Sequence, residues 1–245
     1  MFKKSFTGAT LAIISLSLVL GPVAPVFAQV APPAGLVASY SFYEGTGTIT
    51  ADQSGNSITG TLMNGPVWTV GKNGGGLSFD GVNDYVNLGS PAGLQMTGSM
   101  TVSAWVYETG NVADDGDIVS KSHWQFKSSP DTGVRTYAIT ITNSAGAWVQ
   151  RYSNTVRALN TWYYVTGVYN AAAQTLDIYV NGALDNGALS GTVLSVQQNG
   201  ADLVNIGRRP SGGFNIQGTI DDVRIYNRAL SGSEIAADMA TPVGG

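Results

Sequence analysis

Residues 161–182, TWYYVTGVYNAAAQTLDIYVNG, are the stretch that decides the fold. They contain two runs rich in aromatic and β-branched side chains, at 162–169 and 175–181, separated by five small or polar residues. Such side chains favour the pleated and well-covered surface of a sheet. The two runs are therefore predicted to be neighbouring β-strands joined by a tight turn.

The second run also predicts how the chain continues. Leu176, Ile178 and Val180 alternate with more polar residues, which is typical of a strand with one face on a core. Asn181 and Gly182 come next, and both tolerate the positive φ of a two-residue type I′ turn. Two tight reversals so close together indicate an antiparallel sheet.

The same pattern recurs along most of the chain. Short alternating runs, punctuated by Gly, Asn and Asp, give at least ten predicted strands, and the run at 193–196 is one of them. One helix is predicted near the end, where Ser231 is a suitable N-cap and Glu234 completes a capping box. Its apolar residues can face the sheet: Leu230, Ile235 and Met239. The predicted fold class is all-β, an antiparallel β-sandwich (jelly roll) with one short C-terminal helix.

The first residues have the features of an export signal. Lys3 and Lys4 precede an apolar run at 9–20, which is too short to span a membrane as a helix. Cleavage is predicted after Ala28, so that 1–28 is a signal peptide and the protein is secreted without a membrane span.

The chain after the signal is predicted to be one domain. A Pro-rich lead-in at 29–35 precedes a domain at 36–239 and a tail at 240–245. Without the two lysines of the signal, 10 basic residues face 16 acidic ones, a net charge of −6. This balance argues against nucleic acid as a partner. Because cysteine is absent, a large core must stabilise the fold in place of disulfides.

Catalytic residues are scarce. Glycoside hydrolysis needs two carboxylates about 5–10 Å apart. The glutamates are scattered along the sequence, at positions 44, 108 and 234. Asp221 and Asp222 are adjacent, so on a regular strand they would point to opposite faces. His123 is the single histidine, and no Gly-x-Ser-x-Gly motif accompanies it. We therefore expect no enzymatic activity.

Several segments, in this order, resemble the laminin-G-like members of the concanavalin A-like jelly rolls. The matching segments are YSF at 40–42, DQSGN at 52–56, LSFDG at 77–81, MTVSAWV at 100–106, WYYV at 162–165, YVNG at 179–182 and GTIDDVRIYNRALS at 218–231. The resemblance implies two curved antiparallel sheets with loops at the rim. It does not decide function, because this scaffold carries enzymes, lectins and passive spacers.

The resemblance also implies a structural Ca²⁺ held by Asp52 and Asp221, since the strands near them are neighbours in related jelly rolls. Calcium prefers six to eight oxygen ligands, which such loops supply. The alternative is that Asp52 makes an Asx turn and Asp221 caps a loop. The acidic segment 114–117 has Gln125 where a calcium loop needs a bidentate Glu, and it is expected to be a solvated loop.

Sugar recognition uses aromatic faces with polar groups around them. Candidate ligand residues are predicted on or beside loops: His123, Trp124, Trp148, Arg151 and Tyr152. Trp105 and Trp162 lie within strand patterns and are expected in the core. The sequence thus predicts a secreted, non-catalytic domain that binds carbohydrate or a cell-surface glycan. The alternatives are an adhesion or assembly domain that binds protein and, last, a polysaccharide-active enzyme.

Overall fold

The computed structural model describes residues 1–2, 33–111, 115–129 and 134–244. The chain divides into two compact units, residues 1–31 and 32–245, and every described strand belongs to the second. Apart from its first two residues, the predicted signal peptide lies outside the described part of the chain. Among the described residues, no helix is both long and apolar enough to cross a membrane.

The described elements are strands, one α-helix and one short 3₁₀ turn at Ala92–Leu94. In chain order they are β1 (Leu36–Tyr40), β2 (Ile49–Thr50), β3 (Gly60–Met63), β4 (Val67–Val70), β5 (Gly75–Asp80), β6 (Tyr85–Asn87), β7 (Met100–Glu108), β8 (Gly116–Lys121), β9 (Trp124–Ser129), β10 (Thr136–Thr142), β11 (Trp148–Ser153), β12 (Trp162–Asn170), β13 (Thr175–Val180), β14 (Ala183–Leu184), β15 (Asn186–Ser190), β16 (Asn205–Ile206), β17 (Gln217–Tyr226) and α1 (Gly232–Ala240).

The strands form two sheets. The first sheet has the order β14-β13-β12-β7-β17-β5-β4, and β1 also pairs with β17. The second sheet has the order β15-β11-β10-β9-β8-β16-β6-β3-β2. Each described pairing is antiparallel. The apolar inner faces of both sheets meet in one core, which confirms the predicted antiparallel sandwich.

The hairpin that the sequence predicted is present. Strand β12 pairs with β13 through the register Val165↔Val180 to Asn170↔Thr175. Asn181 and Gly182 have φ of 51° and 79°, as a type I′ turn requires, and the chain returns along β13 as β14. The inward side chains of β13 are buried in the core, as the alternation predicted.

The C-terminal helix is also confirmed. The Ser231 hydroxyl accepts a hydrogen bond from the Glu234 N–H, and the Glu234 carboxylate accepts one from the Ser231 N–H, so the capping box is complete. Helix α1 covers the outer face of the first sheet, where Ile235 packs with Tyr164 and Tyr226. Leu230 and Met239 join the same cluster.

Two expectations about strands and tryptophans were wrong. Residues 193–196 form no strand, and the Leu194 carbonyl instead accepts a hydrogen bond from the Tyr169 hydroxyl at 2.6 Å. Trp105 and Trp162 are half-buried and lie on the outer face of the first sheet, where Trp162 stands beside Tyr107. For Trp162 the reason is that β12 carries bulky side chains on both faces, so alternation alone did not show which face is inside. Trp105 lies between the core residues Ala104 and Val106 of β7 and therefore faces outward.

Candidate functional site

The outer face of the second sheet, which points away from the core, carries the most exposed aromatic side chain of the predicted ligand set. In β11, Val149 belongs to the core, so its neighbours Trp148 and Gln150 point outward. Tyr152 lies on the same outward face. Trp148 is 52 % exposed, and its backbone pairs with Thr142 of β10. An indole, an amide and a phenol therefore succeed one another along a single strand.

Arg151 is not part of this surface. Its side chain points inward, and its Nε donates to the Leu176 carbonyl at 2.9 Å. Its Nη1 donates to the Gly187 carbonyl at 2.8 Å. The guanidinium thus ties β11 to β13 and β15, and the prediction that Arg151 binds ligand does not fit this geometry.

Trp124 also lies elsewhere than predicted. It begins β9 rather than occupying a loop, pairs with Ile141, and is 1 % exposed within the core. His123 occupies the turn before it, and its Nδ1 lies 3.1 Å from Asp202 Oδ2. The neighbouring Lys121 is buried and reaches the side-chain oxygen of Asn199, and burial lowers its pKa.

The acidic segment at 114–117 is not solvated where it is described. Asp114 lies outside the described residues, but Asp115 pairs with Lys127 and is mostly buried. Asp117 is fully buried at the start of β8 and accepts bonds of 3.1 and 3.2 Å from Arg209. Burial raises the pKa of Asp117 to about 6, although the arginine partly offsets that effect.

A backbone bulge in β17 brings the side chains of Asp221 and Asp222 to the same loop, the one that follows β4. The register of β17 shifts between Asp221 and Arg224, and Asp222 has a φ of 48°. The Asn73 N–H donates to Asp221 at 2.8 Å, while its side-chain amide donates to Asp222 at 2.7 Å. The expectation that the two carboxylates point to opposite faces was therefore wrong, because it assumed a regular strand.

Asp221 is the strongest candidate for a cation ligand. It is 0 % exposed, and among the described residues its Oδ1 has no hydrogen-bond partner. Burial and the neighbouring Asp222 raise its pKa to about 7. A Cβ on Gly71 would lie 2.6 Å from Asp221 Oδ2, so only glycine lets the loop close over the carboxylate. A buried, unmatched carboxylate oxygen beside a second carboxylate fits a divalent cation.

Asp52 has different surroundings. Its two carboxylate oxygens accept hydrogen bonds from the N–H groups of Ser39, Ser54 and Ile58 and from the Ser54 hydroxyl. The bond from the Ser54 N–H makes the Asx turn that was the alternative interpretation. In the described ranges no three His, Cys, Asp or Glu side chains form a group that could hold a metal ion, so Asp52 does not join Asp221 and Asp222.

Sequence reasoning missed a buried ion pair at the end of β7. Glu108 Oε2 lies 3.2 Å from Arg157 Nε, and both side chains are almost completely buried. Arg157 also donates to the Ser128 hydroxyl and to Asn111. Burial raises the pKa of Glu108 to about 7. Nothing in the sequence marked this pair, since its members are far apart along the chain.

Fold and site together define a jelly-roll β-sandwich whose second sheet carries polar and aromatic side chains on its outer face. The chain belongs to the concanavalin A-like lectin/glucanases superfamily: the sequence model of its Laminin_G_3 family matches residues 80–236. This confirms the resemblance seen in the sequence. Among curated proteins, none matches the chain.

Solved structures share the fold at low sequence identity. The binding domain of Paraclostridial Mosquitocidal Protein 1 is 16 % identical, with a TM-score of 0.64 over 84 % of this chain and 52 % of that one. Domain 4 of AbnA, a GH43 extracellular arabinanase from Geobacillus stearothermophilus, solved in complex with arabinotriose, is 19 % identical, with a TM-score of 0.63 over 84 % and 98 %. The binding domain of botulinum neurotoxin serotype G is 14 % identical, with a TM-score of 0.59 over 84 % and 50 %.

The lengths covered differ between these structures. This chain spans about half the length of the two toxin binding domains and nearly all of the arabinanase domain. At these identities the likeness concerns the fold alone.

Proposed function

We propose that this chain is a secreted, non-catalytic domain that binds carbohydrate through the outer face of its second sheet. The observation that carries the proposal is the half-exposed Trp148 beside Gln150 and Tyr152 on one strand. An aromatic ring offers an apolar surface for a sugar ring, while the amide and the phenol offer hydrogen bonds to its hydroxyls.

Two further observations support the proposal. The arabinanase domain that this chain covers almost completely was solved with arabinotriose, which makes a saccharide a reasonable first ligand to test. The carboxylate Glu108 is matched with an arginine and enclosed in the protein, so it is not placed as a general acid for an external substrate. Secretion remains the prediction drawn from 1–28, and the mass of the exported protein tests it.

The test is calorimetric titration of the purified protein with arabinotriose, followed by a glycan array if it does not bind. We expect Trp148→Ala to weaken saccharide binding by about thirtyfold, because an exposed aromatic anchor often contributes about 2 kcal/mol to binding. Leu184→Ala is the matched control, since Leu184 is an exposed apolar residue of the first sheet. Equal affinity of Trp148→Ala and the native protein would contradict the proposal.

We also propose that Asp221, with Asp222 and the loop that follows β4, holds a structural Ca²⁺. The unmatched Oδ1 of Asp221 and the closeness of the second carboxylate support it. Asp52, which the sequence had paired with Asp221, is left out because its oxygens already accept four hydrogen bonds. When bound, the cation would neutralise the buried charge and fasten the loop to β17.

A protein-binding role is the second candidate. The edge strands β4 and β2 expose Val67, Val70 and Ile49. Exposed apolar edges are surfaces on which another chain can pair. If Val70→Lys abolishes self-association or partner capture while Trp148→Ala does not, the protein-binding role is favoured over carbohydrate binding.

A further inference from the structure

Lys121 is a lysine enclosed in the sandwich. It ends β8 and pairs with Trp124 of β9, so its side chain is on the face that points to the core. Lys121 is 0 % exposed, whereas a lysine is almost never fully buried unless an opposite charge is paired with it. Among the described residues Lys121 makes no ion pair. Its amine is therefore matched by groups other than a carboxylate.

Oxygens of three neutral groups surround the amine of Lys121. Its Nζ contacts the side-chain amide oxygens of Gln95 and Asn199 and lies 3.4 Å from the Leu94 carbonyl oxygen. Burial lowers the pKa of Lys121, although the charge of Asp202 partly offsets that effect. A larger share of this lysine than of an exposed one is consequently the neutral amine, which is the nucleophilic form.

The loop before β16 holds Asn199 against this amine. His123 Nδ1 lies 3.1 Å from Asp202 Oδ2, so the turn between β8 and β9 contacts the loop just after Asn199. A Cβ on Gly200 would lie 2.7 Å from Asp202 Oδ2 and 3.0 Å from His123 Cε1. Glycine at this position therefore lets the loop close over the turn. The amide carbon of Asn199, which carries the contacted oxygen, is thereby kept next to Lys121 Nζ.

We propose that Lys121 and Asn199 join in a covalent amide bond, which cross-links β8 to the loop before β16. The lone pair of Lys121 Nζ attacks Cγ of Asn199, a bond forms between these two atoms, and the bond from Cγ to Nδ2 breaks. One proton passes from Nζ to Nδ2, which leaves as ammonia, so no oxidant, reductant or further reactant is needed. The amine and the amide are held together away from water, and such proximity gives an intramolecular reaction a large effective concentration.

Gln95 is the other amide that the amine contacts. Its Nε2 also donates to the Ser90 hydroxyl at 2.8 Å, and its side chain has one more rotatable bond than that of Asn199. Asn199 has the shorter side chain and lies in the loop that Gly200 and the contact between His123 and Asp202 hold in place. The inference therefore assigns the bond to Asn199.

The cross-link has a structural consequence for a chain without cysteine. It joins residues 78 positions apart, and like a disulfide it restricts the unfolded chain. Unlike a disulfide, it is not broken by thiol exchange.

The experiment is mass spectrometry of the purified chain, first intact and then denatured and digested with trypsin. We expect the intact mass to be lower than the sequence requires by at least one molecule of ammonia. Trypsin should fail to cleave after Lys121, and the fragments 73–127 and 158–208 should stay joined. Cyclisation of Gln29 after removal of the signal also releases ammonia, but it does not join these fragments.

Two variants complete the test. Asn199→Ala should restore cleavage after Lys121, separate the two fragments and melt at a lower temperature than the native protein. Gln198→Ala is the matched control, because it removes the neighbouring amide side chain and leaves Lys121 and Asn199 in place; its fragments should stay joined.

Separate fragments from the native chain, with cleavage after Lys121, would overturn the inference. Loss of ammonia without joining would also overturn it, because that result indicates either a ring between Asn199 and the Gly200 nitrogen or attack on Gln95, which lies in the same fragment as Lys121. Fragments that stay joined in Asn199→Ala would show that the bond involves another residue.

Discussion

At the scale of single residues, the backbone conformation of Asp222 brings its carboxylate next to that of Asp221. A non-glycine residue at a φ of 48° is in the left-handed region, which is strained for most side chains. Here the conformation is held by bonds from Asn73 to Asp222 and from the Val243 N–H to Asp222 Oδ1. The consequence is that the side chains of Asp221 and Asp222 both contact Asn73, in the loop that follows β4, and that their negative charges are close and poorly solvated.

The calcium proposal is tested at this scale. With Ca²⁺ at a hundred times its dissociation constant, the native protein should be more stable by about 2.7 kcal/mol than in chelator. For a domain of this size that raises the melting temperature by several degrees, roughly 5–10 °C. Asp221→Asn should remove the difference, and in chelator it should melt no lower than the native protein because it relieves a buried charge.

Asp52→Asn is the control for that measurement. It weakens the four hydrogen bonds to the carboxylate, so it should lower the melting temperature in Ca²⁺ and in chelator by similar amounts. If chelator still lowers the melting temperature of Asp221→Asn, or no longer lowers that of Asp52→Asn, the cation is bound elsewhere.

At the scale of elements, the sequence predicts best those strands and helices whose ends are marked by turn or cap residues. The hairpin of β12 and β13 and the capped helix α1 were both predicted, because turn and cap chemistry depends on neighbouring residues in the sequence. The bulge in β17 was not predicted, because it depends on the strands beside it.

The helix cap gives an element-scale prediction. Ser231→Ala removes the hydroxyl that accepts from the Glu234 N–H, so the free energy of unfolding should fall by about 1 kcal/mol in urea denaturation. Ser233→Ala leaves the Ser231 hydroxyl and its bond from the Glu234 N–H in place and removes only the 3.1 Å contact between the two serine hydroxyls, so it should alter stability much less. Equal losses in the two variants would mean that the cap does not stabilise this helix.

At the scale of the whole molecule, several buried carboxylates give stability the same dependence on pH. Burial raises the pKa of Glu108 and of Asp221 to about 7, and that of Asp117 to about 6. An acid whose pKa is higher in the folded than in the unfolded state binds more protons when folded. Its contribution is therefore full below its unfolded pKa and is lost as the pH rises through the folded value.

The melting temperature should accordingly fall as the pH rises from the ordinary glutamate value of 4.5 to about 7. Glu108→Gln should flatten this slope. Glu234→Gln is the control, because hydrogen bonding with Arg228 lowers the pKa of Glu234 to about 2 and its titration lies below this window. A slope that is unchanged in Glu108→Gln would contradict the assignment of the pH dependence to this buried group.

The sequence by itself determined the fold class, the central hairpin, the helix and the family, since each is written in alternation, turn residues and ordered motifs. Only the tertiary structure decided the sites. The register across the second sheet set Gln150 beside Thr140 and Gln125, residues far apart in the chain. Packing against the other sheet also places the side chains of Arg151 and Trp124 inward, although the sequence predicted both of them, like Trp148, on or beside loops. The physical reason is that alternation identifies two faces of a strand, whereas packing against the other sheet selects which face is buried.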